Sequence, residues 1–188
     1  MKKQDSWGAL ISQTGSEIIA IGKETGYLPS LIVTNNIKKI PEKNMEIFKE
    51  NNIDIQVISF RPILDEYFSQ ALMSKTLITL HGYLRIIPKA FFRRFEGKIY
   101  NGHPALITKY PELKGLNMQE AIINNQEKYP ICGSVIHEVI PELDSGPVVA
   151  EVRTENISMN KDHAYALLRR TSLESWKHFF KNIWKFPE

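Results

Sequence analysis

The sequence is poor in what several classes of protein need. Cysteine occurs once, as Cys132, among 188 residues, which excludes an internal disulfide and fits a reducing compartment. No apolar run approaches the roughly 20 residues of a membrane span. The opening, MKKQDSWGALIS, has two lysines but neither a long apolar stretch nor a small-residue cleavage site, so it does not read as a signal peptide. Charge of one sign is scarce as well. Lys and Arg number 24 against 21 Asp and Glu, a formal balance of +3 that is too small to argue for nucleic acid. No repeat, low-complexity tract or interdomain linker interrupts the chain. Spacings of the kind that hold zinc or iron are missing, and so is a nucleophile elbow. What is present is ordinary: 43% hydrophobic and 24% charged residues, enough to bury a sizeable core without staples. The expectation is one cytoplasmic globular domain, residues 1–188, with no membrane or nucleic-acid partner and no metal. Its oligomeric state, a homodimer included, stays open.

Short apolar stretches alternate with amphipathic ones. Trp7–Ser12, Pro29–Asn35, Ile53–Ser59, Thr76–Gly82 and Gly97–Asn101 read as strands, rich in branched residues and closed by turn-formers. IIAIGKETG, Glu42–Asn51, Leu64–Ser74 and the basic KAFFRRF read as helices between them. That alternation predicts an α/β protein with a doubly wound, mostly parallel sheet. After Gly115, LNMQEAIINN reads as a further helix. Gly133–Ile140 and Gly146–Glu155 read as an antiparallel extension joined by PELDS, and Lys161–Lys185 as a terminal helix.

Three places carry polar groups suited to chemistry. IYNGHP puts Asn101 and His103 where the apolar strand pattern stops, the end of a strand at which open α/β sheets bind ligands. Both side chains could donate to one developing oxyanion, although a Gly-Pro loop with two polar turn residues accounts for the tetrapeptide alone. Asp144, in ELDSGPV, is a turn residue or a proton acceptor. Gly15 and Ser16 open the first helix, where backbone amides suit an anion. The three spaced glycines of a dinucleotide site are absent, and a plain turn explains the loop equally. His137 is a lone strand histidine, His81 ends the fourth strand, and His163 and His178 read as surface residues.

Taken in order, LHGYLRIIPKAFFRRFEGKIYNGHPALITKYP, KGLNMQEAI and GSVIHEVIPELDSGPVV resemble the 10-formyltetrahydrofolate-dependent formyltransferases, most closely the type acting on glycinamide ribonucleotide. The opening ALISQTGSE resembles that family's first strand and phosphate loop less well. The resemblance implies formyl transfer from 10-formyltetrahydrofolate to a primary amine, as in purine biosynthesis, without a metal. It implies a catalytic set of Asn101, His103 and Asp144. A folate pocket is implied at Tyr83, Leu84, Arg85, Ile86 and Ile87, with Val139, Ile140, Pro141, Glu142 and Leu143 on its other side. Ser134 and His137 are implied as supports for Asp144 and its loop, and Gly15, Ser16, Glu17 and Glu174 as acceptor contacts. Gln13-Thr14-Gly15-Ser16-Glu17 departs from the family's Gly-x-Gly-Ser-Asn, and a carboxylate at Glu17 would repel a phosphate. An amino sugar or amino-sugar nucleotide is therefore the alternative acceptor, and a catalytically silent folate-binding protein the alternative of another class.

Overall fold

The computed structural model describes residues 1–58, 72–157 and 160–186. The strands are β1 (Lys2–Ile11), β2 (Tyr27–Thr34), β3 (Asp54–Val57), β4 (Leu77–His81), β5 (Lys98–His103), β6 (Ile131–Glu138) and β7 (Val148–Glu155). The α-helices are α1 (Ser16–Thr25), α2 (Glu42–Glu50), the single turn α3 (Lys89–Phe92), α4 (Met118–Asn124) and α5 (Lys161–His178). The strands are hydrogen-bonded in the order β3-β2-β1-β4-β5-β6-β7, the mostly parallel α/β sheet that the alternation predicts. Of the helix expected over Leu64–Ser74, all but the last three residues lie outside the described residues, as does Ser59. By contact the chain divides into two units, Met1–Tyr100 with Phe186–Glu188, and Asn101–Lys185.

In the first unit β1 pairs in parallel with β2 on one side and β4 on the other, and β2 pairs in parallel with β3. Chain order therefore reverses between β1 and β4, and the carboxyl ends of these strands flank a topological switch point, the usual ligand position in such sheets. All five residues of β4 are buried, which is why its sequence shows no alternation. Ala9, Ile11, Ile18, Leu28, Ile32 and Phe48 form a shared core. β1 begins five residues earlier than its apolar pattern suggests. Lys2, Lys3 and Gln4 pair with Tyr27, Leu28 and Pro29 ahead of a register shift between Gln4 and Gly8, so pairing rather than hydrophobicity makes that end a strand.

In the second unit β6 and β7 form the expected antiparallel pair. The serine-bearing face of α5 packs on β6, with Ser175 Oγ donating to the Ser134 carbonyl at 3.1 Å and to Thr171 O within the helix at 2.9 Å. Leu167 and Leu168 of α5 join Ala105, Leu113, Ile122 and Tyr129 in one core. The α-helix stops at His178, and a π-helical turn, Phe179–Ile183, follows.

Candidate active site

The strand does not stop where its sequence suggests. β5 continues through Asn101 and Gly102 to His103, so both polar side chains are set by strand geometry rather than by a loop. Gly102 is required for this. A Cβ there would lie 2.6 Å from Nε1 and 3.0 Å from Cε2 of Trp176, an indole that is fully buried. Ser134 Oγ donates to the His103 carbonyl at 3.0 Å. Its support thus goes to the His103 backbone, and His137 is the expected support that lies against Asp144.

Each ring at the site is fixed from behind by a carbonyl. His103 Nε2 gives its proton to Leu113 O at 2.8 Å, and His137 Nδ1 gives its proton to Glu138 O at 3.0 Å. Those bonds set the tautomers and turn Nδ1 of His103 and Nε2 of His137 toward Asp144, at 3.5 and 3.4 Å from its two oxygens. Asn101 Nδ2 donates to His137 Nε2 at 3.2 Å. Asp144 has a left-handed backbone, φ 46°, in the turn between β6 and β7, and its Oδ2 accepts the Gly115 N–H at 2.8 Å. Gly146 lets the turn close, because a Cβ there would sit within 2.0 Å of the Glu138 carbonyl oxygen. His137 stands at a β-bulge, the register shift between Ile136 and His137, and bulges re-aim side chains in this way.

The electrostatics follow from burial and proximity. Burial pushes the His103 ring below its ordinary value. The Asp144 charge and the Leu113 hydrogen bond oppose that shift without overcoming it, and His137 adds to it. Asp144 is balanced differently. Burial alone would raise its carboxyl, but the adjacent His137 ring, the Gly115 hydrogen bond and the nearby His103 ring together hold it below the ordinary carboxylate range. A neutral imidazole therefore faces an ionised carboxylate at neutral pH.

At the switch point of the first unit, Gly15 caps α1 in the left-handed region, φ 69°, and a Cβ there would stand 3.0 Å from Phe48. The turn thus needs glycine for its own packing. Thr14 Oγ1 donates to Ser16 Oγ and accepts the Ser16 N–H, at 2.9 and 3.3 Å. Glu17, in the first turn of α1, accepts from Nδ1 of buried His81 at 2.8 Å, while His81 Nε2 meets Thr79 Oγ1 at 2.8 Å. Trp7 Nε1 donates to that same threonine oxygen at 2.8 Å. A chain of polar contacts thus runs from the β1–β4 core to the helix start. The sequence flags Glu17 and His81 separately; nothing in their 64-residue separation pairs them.

The remaining expected residues are placed as follows. In the first unit Leu84 and Ile86 are exposed apolar side chains, 48% and 76%. Arg85 is exposed, Tyr83 half-buried and Ile87 buried, and the Leu84 N–H is given to Ser12 Oγ at 3.0 Å. In the second unit Val139 and Ile140 are half-buried, whereas Pro141, Glu142 and Leu143 are exposed. Glu174 is exposed on α5 with Arg170 Nε 3.9 Å away.

Fold and site together define an α/β protein that brings Asn, His and Asp side chains together near the carboxyl end of a strand. The formyl transferase family model matches residues 34–180, and the chain belongs to that family. It is 35% identical over 77 residues to phosphoribosylglycinamide formyltransferase of Escherichia coli, a match covering 41% of this chain and 34% of that protein. It is 28% identical over 149 residues to the trifunctional purine biosynthetic protein adenosine-3 of Gallus gallus, covering 74% of this chain and 14% of that protein. The matches thus span about a third or less of these curated relatives. The crystal structure of phosphoribosylglycinamide formyltransferase from Anaplasma phagocytophilum superposes with a TM-score of 0.78 at 26% identity, covering 91% of this chain and 82% of that one.

Proposed function

We propose that the protein transfers the formyl group of 10-formyltetrahydrofolate to a primary amine, with glycinamide ribonucleotide as the leading acceptor. The observation that carries the proposal is the convergence of Asn101, His103 and Asp144 on one point of the second unit in a chain of the formyl transferase family. The acceptor's name rests on the names of the relatives.

The chemistry follows from the hydrogen bonds. Attack of the amine on the formyl carbon creates a tetrahedral oxyanion and an ammonium. Asn101 Nδ2 supplies a neutral N–H donor to that oxygen. The Nε2–H of His103 is already given to Leu113 O, so this ring donates toward the reacting atoms only after Nδ1 takes a proton. The ammonium provides it: Asp144 accepts the proton and shares it with His103. The pair then returns it to the folate nitrogen as the C–N bond breaks. Proton and leaving group balance without a metal or a covalent enzyme intermediate.

One observation favours an amino sugar or amino-sugar nucleotide as the second reading. A carboxylate, Glu17, occupies the first turn of α1, where the positive end of the helix would favour an anionic acceptor. An acceptor screen tests both readings by following release of tetrahydrofolate from 10-formyltetrahydrofolate with glycinamide ribonucleotide and a panel of amino sugars. Turnover with any primary amine supports the proposal. Folate binding without turnover on any amine would identify a silent folate-binding protein instead.

A further inference from the structure

Asp144 and the two imidazoles have a property that proton transfer does not require. With Nε2–H of His103 committed to Leu113 O and Nδ1–H of His137 committed to Glu138 O, each ring turns its other nitrogen toward the same carboxylate. Three acceptor atoms thus face one another, and no two lie more than 4.8 Å apart. Mutual repulsion of this kind is relieved by a cation at the centre. Donors that temper it at present are the Asn101 amide, 3.2 Å from His137 Nε2, and the Gly115 N–H, 2.8 Å from Asp144 Oδ2.

We propose that His103, His137 and Asp144 form a site for a divalent cation of the zinc class, and that its occupancy blocks the transfer site. Zinc–ligand bonds of about 2.0–2.1 Å in a tetrahedron put neighbouring ligand atoms roughly 3.3–3.4 Å apart. The two His–Asp separations, 3.5 Å from His103 Nδ1 to Oδ2 and 3.4 Å from His137 Nε2 to Oδ1, are of that size but run to different oxygens, so a cation there requires the Asp144 carboxylate to turn one oxygen toward both rings. Backbone carbonyls behind both imidazoles are the outer partners that metal-bound histidines ordinarily have. The ligand set is two imidazoles and one carboxylate, a mixture suited to zinc rather than to the oxygen-seeking magnesium or calcium. Both rings are buried, and the Asp144 side chain, 9% exposed, is the member of the set that reaches solvent. The cation displaces the Asn101 amide from His137 and engages the lone pairs of His103 and Asp144, the groups assigned to proton transfer. The metal therefore acts as an inhibitor and not as part of the reaction.

Cobalt(II) is the probe, because its visible d–d absorption reports tetrahedral coordination without any turnover, and isothermal titration with zinc chloride gives affinity. The full chain should bind a single equivalent of either ion. The cobalt band should vanish, and zinc affinity fall at least about a hundredfold, in both His137→Gln and Asp144→Asn, losses at least as large as those for removing an outer partner. His163→Gln, an exposed residue of α5, should bind like the parent. Circular dichroism of each metal-free variant checks that it folds. If the parent turns over an amine, zinc should abolish that turnover in step with occupancy, and a chelator should restore it. Absence of a cobalt band, a band surviving both ligand substitutions, or full turnover in the zinc-saturated protein each overturns the proposal. Metal binding lost in the variants of a protein that formylates no amine leaves the site standing and removes the formyl-transfer reading.

Discussion

Gly102→Ala adds one methyl group to the strand that presents Asn101 and His103. Its Cβ would stand 2.6, 3.0 and 3.2 Å from Nε1, Cε2 and Cζ2 of Trp176, where ordinary contact begins near 3.5 Å. The indole has little room to retreat. It is fully buried, with ring centroids of Phe179 and Phe180 5.5 and 5.9 Å from its own. Overpacking of this kind costs about 1–3 kcal/mol. At about 2–4 °C per kcal/mol for a chain of this size, Tm should fall by roughly 2–12 °C. If the strand moves instead, the side chains on either side of Gly102 move with it, and a displacement of about 1 Å in a positioned group costs on the order of a hundredfold in rate. Thermal unfolding and kcat measured together check both routes. Combining Gly102→Ala with Trp176→Leu should recover part of the lost activity by opening the space. A variant with parental Tm and parental kcat would refute the argument that the missing side chain at Gly102 is what sets Asn101 and His103.

Asn101→Ala removes the neutral donor and should lower kcat by about two to three orders of magnitude, with folate affinity, read by equilibrium dialysis, nearly unchanged. Asp144→Asn keeps the shape but not the proton acceptor, so kcat should fall at least about a hundredfold. The accompanying Tm change should be only a few degrees, and a melting shift that accounts for the whole loss would mark Asp144 as a structural turn residue. The His103 ring lies below its ordinary 6.5 when folded, so the unfolded chain takes up that proton first as pH falls. Its contribution to stability is complete above about 6.5 and is lost as pH drops through the lower folded value. Asp144, also depressed, gives a second loss of the same sign at more acid pH. Urea titrations at a series of pH values should show the denaturation midpoint falling below pH 6.5, and His103→Gln should remove the upper step. Glu17→Gln removes the charge but leaves an oxygen for His81 Nδ1. A carboxylate and a phosphate about 4 Å apart repel by up to a few kcal/mol at an effective dielectric near 20. The substitution should therefore raise kcat/KM for glycinamide ribonucleotide at least about tenfold, and no change would show that Glu17 is held clear of the acceptor.

The architecture was legible because it is written locally. Runs of branched residues bounded by turn-formers, as in Pro29–Asn35 and Thr76–Gly82, can bury themselves in few ways, and their alternation with amphipathic stretches leaves a parallel sheet as the economical solution. The antiparallel pair after Gly133 was legible for the same reason, since PELDS is a turn in its own right. Asn101, His103 and Asp144 could be singled out by residue type and order. Their meeting could not, because contacts between residues about 40 positions apart leave no local pattern. Tertiary structure alone decided that β5 runs on through His103, since that depends on the space Trp176 takes from the far end of the chain. It alone decided that a bulge aims His137 at Asp144, that carbonyls of Leu113 and Glu138 fix both rings, and that Glu17 meets His81. A sequence determines which groups a chain owns and which segments must hide from water; where two buried groups point relative to each other is settled only when the packed backbone leaves each of them a single direction.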